Sequence, residues 1–382
     1  MHIDEHFDPG ESVVLRYQQN VRLEDDESAD AAVKALLPTT SIREGVRIVP
    51  FMQYRGVQID VLDETSLMHT HTLKAIDGCV TAAKCRARGI TTLVIESGGN
   101  SAAAVAAYAD RARLAIACFV PEQNLELLDA SCFRGERTQL IAVADPALVK
   151  EAATRFARQT GALHVPEVGW RFQASRFVGC FLREHLLRGA RIDWLAQTIS
   201  AAFGPIGIYD ALSTPTDQLP RFLGVQQAAN CPMYRAWKGE PANRTDDALR
   251  STTALLAPVM YDGAPATYGT FPALQALLVR TRGHLVTIDT EEFAYHIDAA
   301  VIDALHDGGI NILRRGPDII DRTGLIALAG VLKEIGAGSI ATHSRVLVCL
   351  TSGVRPAYQA PMPSARLTDL DGIDTLARPW TT

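Results

Sequence analysis

The chain has 382 residues, 47% of them hydrophobic, with a formal net charge of -6 and a pI near 5.9. That length suits two or three core-sized units, and the acidic balance offers no basic face for nucleic acid or anionic lipid. No apolar run reaches the ~18 residues of a membrane span, and "MHIDEHFDPGESVV" lacks the charged-then-apolar order of an export signal, so a cytoplasmic location is expected.

From the N-terminus, "VQIDVLD" (57–63) predicts a strand. Thr70 or Thr72 can cap a helix that runs to Arg88 and breaks at Gly89. "TTLVIES" (91–97) reads as a buried strand, "SAAAVAAYADRAR" as a helix and "LAIACFVP" as the next strand. "TQLIAVA" (138–144) is followed by a helix with Pro146 at its start. "DWLAQTISA" leads through a glycine loop into "IGIYDAL", and "RFLGVQQA" and "RVLVCLTSG" are two more apolar strands. Strands alternating with helices predict an α/β fold of parallel-rich sheets with helices on both faces, and ligands at the carboxyl ends of the strands. Residues 1–12, 22–33 and 357–382 read as peripheral.

Seven cysteines occur singly, with no C-x-x-C pair, and read as reduced, buried small hydrophobes. No metal site is expected, because the histidines are not paired with carboxylate and cysteine at ligand spacing. Two loops after strands are glycine-rich. "ESGGNSAAA" (96–104) opens an alanine-rich helix with Asn100 at its tip, and "SAAFGPIGIY" (200–209) leads into a helix whose free amides and dipole favour phosphate. Taken alone, each loop fits a plain βα turn. No G-x-x-x-x-G-K-[ST] or G-x-G-x-x-G pattern is present in them.

The order of the pieces is more specific. A lysine at a helix start, then a strand and S-G-G-N, then a glycine turn, then "VLVCLTSG" resembles the fold-type II pyridoxal phosphate enzymes, and within them the threonine synthase group. "SIREGVRIVPF" (41–51) is similar to S-L-G-E-G-x-T-P-L, "HTLKAIDG" to G-S-F-K-D-R-G, and "ESGGNSAAAVAAYA" to S-S-G-N-T-G-x-S-x-A-A-Y-A. "GWRFQASRF" (169–177) resembles N-P-Y-R-L-E-G-Q-K-T, "GPIGI" (204–208) the phosphate loop G-N-x-G-N, and "VCLTSG" (348–353) V-C-x-L-T-G-H. "RFLGVQQAANCPMYRAW" resembles the family's strand-turn-helix R-x-V-G-V-Q-x-x-G-A-A-P-x-x-R-A-F. The match runs from about residue 14 to 356.

The resemblance implies pyridoxal 5'-phosphate as cofactor, carried on Lys74, which is also the base for the substrate α-proton. It implies Asn100 on the cofactor 3'-oxygen and Thr351 opposite the pyridine nitrogen. The phosphate falls to the backbone of Gly204, Pro205, Ile206, Gly207 and Ile208, with Pro205 donating no N–H. Ser97, Gly98 and Ser101 fall to the substrate carboxylate, and Arg171 to an anionic substrate group, although a surface ion pair fits Arg171 equally. His71 suits a proton carrier for a leaving group; the plainer reading is a capping or solvated histidine.

In fold, the resemblance implies two three-layer αβα domains with the cofactor in the cleft between them. Residues 1–75 plus 165–382 form the larger and 76–164 the smaller, mobile one. In function it implies a lyase or synthase that works by α-proton removal and β/γ-elimination or replacement on a small amino acid, with a homodimeric assembly. O-phospho-L-homoserine is the threonine synthase substrate. Cysteate synthase-like β-replacement and threonine or serine dehydration are the alternatives, and a catalytically silent relative or an unrelated α/β binding protein the alternatives of another class. The chain departs from the pattern at Thr72-Leu73, Ala75-Ile76, Pro205, Ile208, Arg47-Ile48 and "RRGPDII" (314–320).

Overall fold

Apolar strand runs that bury both faces are the signature of a covered parallel sheet. The computed structural model, which describes residues 10–212, 219–240, 255–261, 268–354 and 357–380, has two such sheets. The strands are β1 (Arg47–Tyr54), β2 (Val57–Asp63), β3 (Thr92–Glu96), β4 (Ala115–Pro121), β5 (Thr138–Val143), β6 (Leu163–His164), β7 (Trp194–Thr198), β8 (Arg221–Gln227), β9 (His284–Ile288), β10 (Arg314–Arg315), β11 (Asp318–Ile319), β12 (Arg345–Leu350) and β13 (Ala365–Leu367). The larger sheet has the order β1-β2-β12-β7-β8-β9 and the smaller β13-β5-β4-β3-β6. All neighbours in them are parallel except β1 and β2. Those two form a hairpin whose turn residues, Arg55 and Gly56, both have positive φ, the geometry that matches strand twist.

The helices are α1 (Val13–Tyr17), α2 (Glu27–Thr40), α3 (Lys74–Ala87), α4 (Asn100–Arg111), α5 (Val149–Thr160), α6 (Val168–Leu187), α7 (Phe203–Leu212), α8 (Pro232–Trp237), α9 (Phe271–Thr281), α10 (Thr290–His296), α11 (Ala299–Asp307), α12 (Thr323–Gly336) and α13 (Ile373–Ala377). One apolar core joins the facing sides of both sheets through α3, α4, α6 and α7. A second lies between the larger sheet and α12, and a third between the smaller sheet, α5 and the C-terminal segment.

Three expectations change. Residues 22–33 are not peripheral: Leu23 is buried, Asp26 caps α2, accepting from the Ala29 amide at 2.9 Å, and α2 buries Val33. Within 357–380, β13 pairs with β5 and α13 packs on α5, so this segment completes the smaller sheet instead of joining the larger unit. The expectation for residues 1–12 falls largely on 1–9, outside the described residues, as do 381–382. "FGPIG" is not a loop ahead of a helix but the start of the helix itself, since α7 begins at Phe203. Its glycines serve close packing: a Cβ on Gly207 would lie 2.3 Å from the Phe172 carbonyl oxygen, and one on Gly179 of α6 2.4 Å from that of Ile208.

Candidate active site

Lys74 is the first residue of α3, and the chain leading into it is docked on the end of β12. The Leu73 amide donates to the Thr351 carbonyl at 3.1 Å, and Thr72 bridges Ser352. The cap position of α3 falls to Leu73, not to Thr70 or Thr72, and carries no side-chain cap; the Thr72 hydroxyl, one residue earlier, accepts from the Lys74 amide at 3.2 Å. The Lys74 side chain is 23% exposed, and its Nζ donates to Asp77 Oδ2 at 2.7 Å, one helical turn along. Before it, His71 has φ 55°. The matching family motif has glycine there, so the histidine occupies a left-handed backbone that glycine adopts freely.

Beneath the first turn of α3 lies a cavity of about 10 Å³, room for one water. Glu64, Leu73 and Asp77 line it from one side, Ser175 of α6, Gln197 of β7 and Gly204 of α7 from the other. Glu64 follows β2 and is fully buried; its Oε2 and the Oε1 of Gln197 have no hydrogen-bond partner among the described residues. Burial pushes the Glu64 carboxyl up to about 8; the nearby Lys74 charge opposes the shift, while Asp63 and Asp77 add to it.

The start of α7 therefore stands across one small cavity from the lysine helix. The first turn leaves the Phe203 and Gly204 amides without intrahelical acceptors, whereas the Ile206 amide is taken by the Ala202 carbonyl at 3.3 Å. Gly207 and Ile208 lie deeper in the helix, so the free first-turn amides sit nearer its start than the glycine spacing suggests. Ala202, just before the helix, has φ 61°. Pro205, in the first turn, removes a donor there without breaking a helical bond.

Asn100 begins α4. In the loop before it, the Ser97 hydroxyl accepts from the Gly99 amide at 2.9 Å, and Asn124 donates to the Gly98 carbonyl at 2.8 Å. Ser101 follows in the first turn of the helix. Gly78 of α3 packs on Ala104 of α4, and four residues earlier on these helices are Lys74 and Asn100, at the same end of the pair. Arg171 lies on α6, one turn before Ser175, with its guanidinium 5.2 Å from the Phe203 ring centre and 6.0 Å from that of Tyr268. Beside it, burial pushes the Glu96 carboxyl up, but the His164 ring and the Arg171 charge outweigh this and hold it below the usual range.

Residues 62–352 match the profile of a family described as pyridoxal-phosphate dependent enzyme, well over half of the chain. The chain belongs to that family. A cysteate synthase from Methanocorpusculum labreanum is 23% identical over 80% of this chain and 74% of its own. The processed form of threonine deaminase isoform 2 from Solanum lycopersicum superposes with a TM-score of 0.58 at 13% identity, covering 87% of this chain and 86% of its own. Maize serine racemase does so at 0.56 and 16%, covering 87% and 96%. These likenesses give the chain the fold-type II architecture. Pyridoxal 5'-phosphate is the cofactor of this pyridoxal-phosphate dependent enzyme.

The residues present suit that group: a primary amine at a helix start, an amide side chain at the same end, a buried hydroxyl at Thr351, and helix N-terminal amides for the phosphate. Sequence reasoning missed Glu64, Asp77 and Gln197. Asp77 was readable, since position i+3 on a helix faces position i. Glu64 and Gln197 carried no local signal, because burial at a strand end is set by helices far along the chain. Arg47, one of the departures, is explained by packing between elements, as it donates to Asp63 at 2.8 Å and to the Gly308 carbonyl at 3.1 Å.

Proposed function

We propose that this pyridoxal-phosphate dependent enzyme is a lyase or synthase of the threonine synthase type, removing the α-proton of an amino acid and eliminating or replacing a β- or γ-substituent. The observation that supports this is the setting of Lys74: it opens α3, a helix start tied to Thr351 through Leu73 and facing the α7 N-terminus across one cavity, with its amine paired to Asp77 of that cavity. When bound, the cofactor supplies an electron sink for negative charge at the substrate α-carbon. Lys74 holds the cofactor and moves the α-proton at Nζ, which requires the amine to be neutral in a partly dry site. Asn100 and Thr351 orient the ring, and the Phe203 and Gly204 amides with the α7 dipole bind the phosphate. Ser97, Gly98 and Ser101 bind the substrate carboxylate.

Arg171 favours a substrate with an anionic leaving or side group, such as O-phospho-L-homoserine, because its fixed charge sits beside the α7 start. Replacement at the β-carbon, as in cysteate synthase, is the second reading, supported by the relative of that name. Purified protein loaded with pyridoxal 5'-phosphate is expected to absorb visible light, and Lys74→Ala to lose that band. Amino acids added one at a time, with and without an anionic side group, are then scored by their spectral shift. A colourless loaded wild type ends the proposal; shifts only with uncharged amino acids remove the role given to Arg171.

A further inference from the structure

Two adjacent carboxyl groups at the end of β2 have opposite surroundings. Asp63 accepts from the Thr65 amide at 2.9 Å, its hydroxyl at 2.7 Å, the Ser66 amide at 3.0 Å, the Ser66 hydroxyl, and Arg47 at 2.8 Å. Glu64 is buried with one oxygen unpartnered among the described residues and opens onto the same cavity as Asp77. Among the described residues the cation that acts on it is Lys74, while Arg47 donates to Asp63 and to the Gly308 carbonyl. The other polar and titratable groups facing this region are Ser175 from α6, Gln197 from β7 and Cys349 from β12. Asp321 lies beyond, held by Ser352 and Thr323, and His71 stands before α3.

We propose that Glu64 is a positioning residue for Lys74: uncharged, it leaves Asp77 as the carboxylate paired with the lysine nitrogen, and on ionising it adds a second negative charge in the cavity that Asp77 lines, holding the ammonium in its paired place and withdrawing it from aldehyde chemistry. The proton lost by Glu64 leaves to solvent, and no bond to carbon is made or broken. The direction follows from the surroundings: burial is the largest influence holding the proton on Glu64, and Lys74 is the nearby group that draws it off. Coupling of this kind is reciprocal, so each group changes the other. This inference deepens the assignment of Lys74 as the cofactor lysine and rests on it for its consequence, a cofactor-loading step that slows above the Glu64 midpoint.

The test uses the full chain, freed of carbonyl compounds, in wild type and Glu64→Gln. Lys74 is labelled with formaldehyde and cyanoborohydride from pH 6 to 9.5, and the Lys74 peptide is quantified by mass spectrometry. The chain has only six lysines, so competing labels are few. The two proteins should label alike at pH 6, and above pH 8 the variant should label roughly tenfold faster, the effect of one nearby carboxylate. Infrared spectra should show a neutral-acid carbonyl band lost near pH 8 in wild type and absent from the variant, with Lys74→Met moving its loss to higher pH. Identical labelling profiles, or an acid band unmoved in Lys74→Met, overturn the proposal. Glu64→Leu, also uncharged, serves if the glutamine variant does not fold. Protection of Lys74 by added pyridoxal 5'-phosphate, read in the same peptide, tests the lysine assignment separately.

Discussion

Burial raises both Asp63 and Glu64, yet the two neighbours end in opposite directions. For Asp63, hydrogen bonds from Ser66, Thr65 and Arg47 outweigh burial and hold the carboxyl below the usual range. Among the described residues Glu64 has no such donors, and it rises from 4.5 to about 8. The sign for stability follows from proton counting. Between those values folded Glu64 holds a proton that the unfolded chain releases, so stability is full at the acid end and falls as pH rises through the window. At about 1.4 kcal/mol per pH unit over this window, the loss approaches ~5 kcal/mol for this buried group. Urea unfolding at pH 5.5 and 8.5 should show wild type losing at least ~2 kcal/mol more than Glu64→Gln across that interval. An equal loss in both proteins means that Glu64 ionises like an ordinary carboxylate.

Helix starts concentrate the backbone strain of this site. His71 precedes α3 at φ 55° and Ala202 precedes α7 at φ 61°, both left-handed and neither glycine. His71→Val should lose about 1–2 kcal/mol more than His71→Gly, because both lack the imidazole and only valine opposes the backbone. Thermal unfolding of the pair reads the difference. Glycines inside helices divide by what they touch. Gly207→Ala pushes a methyl onto the Phe172 carbonyl and should cost about 2–3 kcal/mol. Gly336→Ala, in open space at the end of α12, should gain about 0.5–1 kcal/mol. The elements around the candidate site were legible: the strand at 57–63, the helix from Lys74 and the strand before Thr351 all stand within a few residues of their expected places. The α7 boundary was not, since "GPIG" reads as a turn by residue type. Gly207 is instead required by the approach of α6 at Phe172, about 35 residues earlier in the chain, and Gly204 by the Gln197 side chain of β7.

At the scale of the whole molecule, the smaller sheet is closed by a strand from the far end of the chain. Ser364 and Leu140 exchange hydrogen bonds although they are 224 residues apart. A three-residue strand and a five-residue helix carry no periodic pattern, which is why 357–380 read as peripheral. What orders them is burial: Leu367, Ile373 and Ala377 join Phe119, Ile141 and Phe156 in the third core. The segment inserted between β2 and β7 is therefore not self-sufficient, and its stability depends on residues about 200 positions further along the chain. Ile373 is fully buried, so Ile373→Ala should cost about 2–4 kcal/mol. Because β13 covers the edge of β5, limited proteolysis of this variant should open new cuts within 92–164 together with those in 357–380, while the larger sheet stays protected. Cuts confined to 357–380 with an unchanged melting temperature would show that the C-terminal strand only rests on the smaller sheet and does not hold it.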